Sequence, residues 1–287
     1  MFQPPMLPQK KDRPFNDERY IFEPAVDGYR LQLSLENGTA RLYTRYGNDV
    51  TDRYPELHRV PLEDGADALL DGSIACLDPA TGSFDIELLA ARSKLVKPMS
   101  VLEASVSLPV HYFVFDLLRY KGRDLRSVPL EERRRLLGRV LDRNRRIAPL
   151  PYVDTDGVSL HEEMAKNKAG GIVAKAKKSV YENGPSGDWL HIPYYEHAVV
   201  QIVGYRQNQF GWLIRHRGRD VGLLGKENGV PAAYINAFYG IAKCLSPREG
   251  GNFVYVEPRI EARIRYRGWT REGKFREPEF VDFVADL

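Results

Sequence analysis

An α+β fold followed by a small β-barrel is the expectation for this 287-residue chain, and three observations produce it. Up to about residue 195, short β-rich runs and helical stretches mix without strict alternation, which favours α+β over a doubly wound sheet. The remainder reads as about five short strands and one helix, a content that suits a Greek-key barrel of OB type. A composition of 43% apolar, 28% charged and 11% aromatic residues belongs to a globular chain and excludes disordered and collagen-like classes.

In the first part, strands are expected over residues 20–23, 29–35, 40–44 and 69–77, with Glu36-Asn37-Gly38 marking a hairpin turn between the second and third. A further strand over 111–117 precedes the charged stretch 130–144. There Leu136, Leu137, Val140 and Leu141 recur at helical spacing, so an amphipathic surface helix is expected. In the second part, strands are expected over 199–205, 211–217, 253–256 and 262–266, with a helix near 232–245. The hinge falls near Pro193 to His197, dividing the chain into domains 1–195 and 196–287.

The net charge of +3 is small, but it is unevenly spread. From Ala198 onward there are fourteen Lys and Arg against ten Asp and Glu, which leaves the first two thirds at −1. Within this basic part, Arg263, Arg265 and Arg267 alternate with Ala262, Ile264 and Tyr266, so a strand there places its arginines on one face. That face is either a phosphate-binding stripe for DNA or an ordinary solvated surface.

No run approaches the roughly 20 apolar residues of a membrane helix, and the N-terminus lacks the regions of a secretory signal. A cytoplasmic monomer without membrane contact is expected. Cys76 and Cys244 have no metal-like spacing, form no disulfide framework, and are expected as small core residues.

The segment Glu23-Pro24-Ala25-Val26-Asp27-Gly28-Tyr29-Arg30 lies between two expected strands. It is followed in order by Thr44-Arg45-Tyr46-Gly47-Asn48-Asp49, Asp71-Gly72, Phe115-Asp116, Gly171-Ile172-Val173-Ala174-Lys175 and Trp189-Leu190. This series resembles the motifs of ATP-dependent DNA ligases, most closely the small two-domain bacterial and prophage type. Gly122-Arg123-Asp124-Leu125, Arg267-Gly268-Trp269-Thr270 and Phe275-Arg276-Glu277-Pro278-Glu279-Phe280 extend the likeness through the chain. The resemblance implies a nucleotidyltransferase domain with antiparallel sheets plus a C-terminal OB domain. It also implies ATP and Mg²⁺ as cofactors, nicked double-stranded DNA as partner, and a place in DNA repair, replication or recombination.

In such enzymes a lysine is adenylated by ATP, the AMP passes to the 5′-phosphate of a nick, and the 3′-hydroxyl displaces it. The chemistry needs an amine nucleophile, carboxylates for metal and cations for phosphate. This chain departs from the pattern at those positions. Ala25 stands where the family has the adenylated lysine, Ser73 where it has a glutamate, Gly170 where it has another metal-directing carboxylate, and His191 where it has a phosphate-contacting lysine. Ala176 and Pro185 also stand where arginine is expected, and Pro193 near a second lysine. No metal ligands remain to be named.

Losses confined to catalytic side chains, on intact scaffolding, imply an inactivated ligase or a pseudoenzyme, with self-adenylation absent and ATP binding weak or absent. A protein that binds nicks or ends without chemistry is the alternative. An RNA ligase or capping-type nucleotidyltransferase fits the C-terminal signature less well. By resemblance the surviving nucleotide contacts are Glu23 near the adenine amino group, Phe115 stacking on the base, Arg30 and Arg45 at phosphate or ribose, and Lys175 nearby. Each also has a plain reading: Phe115 as core, Arg30, Arg45 and Lys175 as solvated cations, Asp71 and Asp116 as turn caps. A new histidine in an active-site slot invites a general-base role, but no ligand-spaced partner accompanies His191.

Overall fold

Asn37 and Gly38 both take positive φ, 49° and 74°, and Glu36 pairs with Thr39, so the hairpin forms where its turn residues place it. A two-residue turn of this hand matches the right-handed twist of its strands. In the computed structural model, which describes residues 2–284, the hairpin joins Tyr29–Glu36 to Thr39–Thr44. Their sheet runs in the order Thr39–Thr44, Tyr29–Glu36, Ala68–Cys76, Val110–Tyr120 and Arg123–Asp124, and Ile147–Pro149 lies parallel to Val110–Tyr120. Its core face buries Leu33, Leu42, Leu70, Ile74, Val114 and Leu117.

A second sheet has the order Met6–Lys10, Gly184–Ile192, Ile172–Ala176, Asn16–Pro24 and Val153–Asp156. All its pairings are antiparallel except that of Met6–Lys10 with Gly184–Ile192. A separate cluster, including Met6, Ile21, Leu69, Phe115, Leu118 and Trp189, draws residues from both sheets and lies beneath the candidate site.

The strand Val110–Tyr120 carries two irregularities against Ala68–Cys76. Gly72 pairs with Val114 but Asp71 with Asp116, so Phe115 is the unpaired extra residue; Leu118 is skipped in the same way. Each bulge resets the alternation of faces. Val114 and Leu117 therefore share one core, while Phe115 and Leu118 share the other.

Gly72 sits at the first bulge, where an added Cβ would lie 2.6 Å from the Tyr112 ring and would overlap the Phe113 carbonyl. Gly72→Ala is expected to destabilise the protein by about 1–3 kcal/mol, as overpacking does. A loss in urea-unfolding free energy below about 0.3 kcal/mol would show that the strand yields.

The helix expected over 130–144 ends at Val140. Leu141 is extended and bridges Leu62, and the Asn144 side chain accepts from the Arg146 and Ile147 amides to form the next turn. Its character also differs from expectation: with Leu130, Leu137 and Val140 it buries Arg133 and Arg134. Strands Met6–Lys10 and Val153–Asp156 and helices Ile86–Ser93, Pro98–Ser107 and Gly157–Lys166 were not anticipated.

The chain divides into two compact units, Met1–Tyr194 and Tyr195–Leu287. Tyr195 falls in the second because its hydroxyl donates to Glu279 and Arg265 stacks on its ring. The second unit is an antiparallel sheet in the order Arg219–Leu224, Trp212–His216, Glu196–Arg206, Phe253–Tyr266 and Arg248–Gly250, with Glu279–Phe283 also on Phe253–Tyr266. The expected strands over 253–256 and 262–266 are one continuous strand. Residues 256–259 oppose Val203 alone, so Pro258 occupies a stretch that needs no ladder donor.

The second-unit helix is Ala232–Ala242, which leaves Cys244 beyond its end and exposed, contrary to its expected core position; Cys76 is buried. Among the described residues no helix is long and apolar enough to cross a membrane.

Candidate functional site

Strand register gathers the motif residues. Across the second sheet, Glu23, Val173 and His191 form one row of paired positions, and Ile21, Lys175 and Trp189 form the next row on the same face. In the first sheet Arg30 pairs with Ser73. Together with Ala25, Val26, Arg45 and Phe115 these residues line a cleft of about 320 Å³. The cleft thus brings together Glu23, Ala25, Arg30, Arg45, Ser73, Phe115, Lys175 and His191. Gly170 is buried at the edge of the segment that the Ala25 amide meets, donating to the Gly171 carbonyl at 2.9 Å. Gly171 has φ of 99°, a conformation that favours glycine, and its space is filled by the Ile192–Tyr194 backbone.

The cleft's charges are occupied by one another. Lys175, 2% exposed, places Nζ 2.7 Å from Glu23 Oε2, and Glu23 is 1% exposed. The same ammonium lies 3.9 Å above the Phe115 ring and 4.1 Å from the Trp189 ring, in a cage of two aromatics and a carboxylate. Arg134 approaches Glu23 Oε1 at 3.5 Å and donates to the carbonyls of Val114 and Leu150. Burial pulls the Lys175 pKa below the usual lysine value, and the attraction of Glu23 offsets this only in part.

Arg30 makes a two-pronged bond to Asp71, at 3.0 and 2.5 Å, and a third to the Met6 carbonyl at 2.6 Å. Burial opposes its charge, yet Asp71 and Tyr181 outweigh that penalty and hold it firmly protonated. Tyr181 donates to Asp71 at 2.5 Å, and burial first, then the Asp71 charge, raises its pKa. Asp116 forms a second two-pronged pair, with Arg133 at 2.8 Å to each oxygen. Burial pushes the Asp116 carboxyl up, and Arg133 more than reverses this, leaving it below the ordinary value.

The plain readings therefore fail for several residues. Lys175 is not solvated, Asp116 serves an ion pair, and Arg30 is committed to Asp71. Arg45 is the exception: it is exposed, stacks on Tyr46 with 4.8 Å to the ring, and has no carboxylate partner among the described residues. Arg133, Arg134 and Tyr181, which organise the buried charges, were missed by sequence reasoning. The charged helix pattern masked the first two, and nothing local marks a buried tyrosine.

In the second unit Ala262, Ile264 and Tyr266 are buried while Arg263 is exposed and Arg265 and Arg267 are partly so, as the alternation requires. Arg265 is held by Glu279 at 2.6 Å and Arg267 by Glu277 at 3.2 Å, so two of the three charges are balanced within the unit.

Comparison with known proteins places this geometry. Residues 5–192 match the model of the ATP dependent DNA ligase domain. The chain is 31% identical to the SPbeta prophage-derived DNA ligase-like protein LigB of Bacillus subtilis, over 98% of both chains. It is 28% identical to the multifunctional non-homologous end joining protein LigD of Mycobacterium bovis over 93% of this chain, but spans only 36% of that longer protein.

Among solved structures, a mycobacterial DNA ligase D complexed with ATP and MES shares the fold with a TM-score of 0.59 at 24% identity, over 99% of this chain and 95% of that one. A Lig E DNA ligase shares it with a TM-score of 0.66 at 17% identity, over 99% and 100%. The two units accordingly have the nucleotidyltransferase and OB folds of ligase catalytic cores, and the chain belongs to the ATP-dependent DNA ligase family.

Proposed function

We propose that this protein is a ligase-family member that does not adenylate itself and instead holds nicked duplex DNA. One observation carries the reading: the cleft is still lined by Glu23, Arg30, Arg45, Phe115 and Lys175, yet Ala25 offers a methyl group, and Lys175, the one lysine among the described lining residues, is tied to Glu23 at 2.7 Å. A methyl group forms no bond to phosphorus, and an ammonium held against a carboxylate and two rings is no nucleophile.

The residues present do not fit Mg²⁺-ATP. Glu23 is the one carboxylate of the described lining and is neutralised, and no group of three His, Cys, Asp or Glu that could hold a metal occurs among the described residues. Each lost charge-assisted phosphate contact removes about 1.5–3 kcal/mol, so weak or absent ATP binding follows.

DNA contacts are spread over many cations and survive the loss of a few. Arg45 beside the cleft and Arg263 in the second unit are exposed and without carboxylate partners among the described residues, which favours retained binding. The test is equilibrium binding of intact and nicked duplexes of one sequence in EDTA. Nicked duplex should bind at least about tenfold more tightly, roughly 1.4 kcal/mol, without any metal. Equal affinities would defeat the proposal.

A further inference from the structure

Two observations in the second unit meet at one corner. The first is charge. The hairpin joining Trp212–His216 to Arg219–Leu224 turns through Arg217 and Gly218, with φ of 49° and 79°, and exposes Arg217 and Arg219. Neither has a carboxylate partner among the described residues. The one acid of the hairpin, Asp220, is taken by Arg215 at 2.7 Å. This turn therefore carries unbalanced positive charge, in contrast to Arg265 and Arg267.

The second observation is Trp269, 45% exposed while Trp189 and Trp212 are buried. Phe275 lies 4.3 Å from it at 36°, and Tyr266 meets it nearly edge-on at 5.6 Å, so packed rings back the indole. His216 at 6.2 Å ties it to the hairpin, and the Phe275 amide donates to the Val221 carbonyl on the strand that leaves the turn. The result is a half-exposed indole backed by packed rings and in ring contact with His216, which pairs with Arg219 across the hairpin whose turn carries Arg217.

We infer that this corner binds an unpaired nucleotide of DNA, with its base on Trp269 and its flanking phosphates on Arg217 and Arg219. An aromatic face stacks on any base, so the contact is indifferent to sequence. A base inside an intact helix has no face to offer, whereas a frayed end or single-stranded tail has. The inference takes from the proposed function only that the ligand is DNA. It adds a preference for unpaired strand that a cleft unable to self-adenylate does not require.

The experiment uses the full chain with labelled nicked duplexes with and without a short unpaired tail, intact duplex, and oligo(dT). The tail should tighten binding roughly tenfold, and oligo(dT) should quench the tryptophan emission. Trp269→Ala should lose both effects, while Trp269→Phe should keep the tail preference and lose the quench. Replacing Arg217 and Arg219 by alanine should reduce the salt dependence of oligo(dT) binding by about 1.4 in logarithmic slope.

A tail without effect on affinity, or a Trp269→Ala protein that keeps the preference, overturns the inference. Failure to distinguish nicked from intact duplex, with tail preference and quench intact, would sink the nick-binding reading and leave this one standing.

Discussion

Incubated with ATP and Mg²⁺, the protein as it stands should gain no mass, whereas a variant carrying Ala25→Lys, Ser73→Glu, Gly170→Glu and His191→Lys should gain one AMP. The expectation rests on how much of the site survives around the four substitutions. Register holds Glu23, Val173 and His191 in one row, the Ala25 amide is anchored on Gly171, and Ser73 pairs with Arg30. A lysine at 25 would enter a cleft with Arg30 and Arg45 in its walls, and nearby positive charge lowers an amine's pKa toward nucleophilic use.

Ala25→Lys alone should react, but slowly. Metal assistance contributes several kcal/mol, so its loss is worth roughly a thousandfold in rate. Intact mass over time separates the cases. Adenylation of the unaltered chain would place the nucleophile elsewhere, and Lys175→Met would then be the next variant to weigh. A quadruple variant that folds but stays unmodified would show that the loss extends beyond these four positions.

What could be read ahead of the structure follows from which signals are local. The hairpin at Asn37-Gly38, the alternation at 262–266 and the motif order are written in neighbouring residues, and they form as read. Phe115 could be named a cleft residue only by its motif, because its place depends on a bulge that pairs Asp71 with Asp116 and Gly72 with Val114. Alternation along His111-Tyr112-Phe113-Val114-Phe115-Asp116 contains no sign of that slip.

The commitments of Lys175 to Glu23 and of Arg30 to Asp71 join residues 152 and 41 positions apart, and no local pattern distinguishes them from solvated charges. The helix Leu130–Val140 misled for a related reason. Two of its arginines answer buried acceptors on the strand Val110–Tyr120, so its inward face is partly cationic and its hydrophobic stripe alone misstates its burial.

Those buried arginines lead to the largest stability effect expected. Asp116 and Arg133 are fully buried, and each carboxylate oxygen receives a guanidinium hydrogen bond at 2.8 Å. Arg133 also donates to the carbonyls of Val128 and Ser179, so its charge has no route to water when its partner is removed. Asp116→Asn should therefore cost about 3–5 kcal/mol, the range for stranding one member of a buried pair. At about 2–4 °C per kcal/mol that is a fall of roughly 10 °C in Tm.

Replacing both residues, Asp116→Leu with Arg133→Met, should recover part of the loss, because no charge is then stranded; the Val128 and Ser179 acceptors stay unmet and limit the recovery. By contrast Asp124→Asn, in the more exposed pair with Arg126, should cost about 0.5 kcal/mol or less.

The pH dependence gives an independent reading. Asp116 is held below its ordinary pKa, so the unfolded chain takes up its proton first as the solution is acidified. Its stabilisation is complete above about pH 5 and is lost progressively as pH falls through the unfolded and then the lowered folded value. The Asp116→Asn protein should lack this part of the acid slope while keeping the rest. A variant that melts within 2 °C of the parent, or that retains the full acid slope, would mean that water or a second partner reaches Arg133.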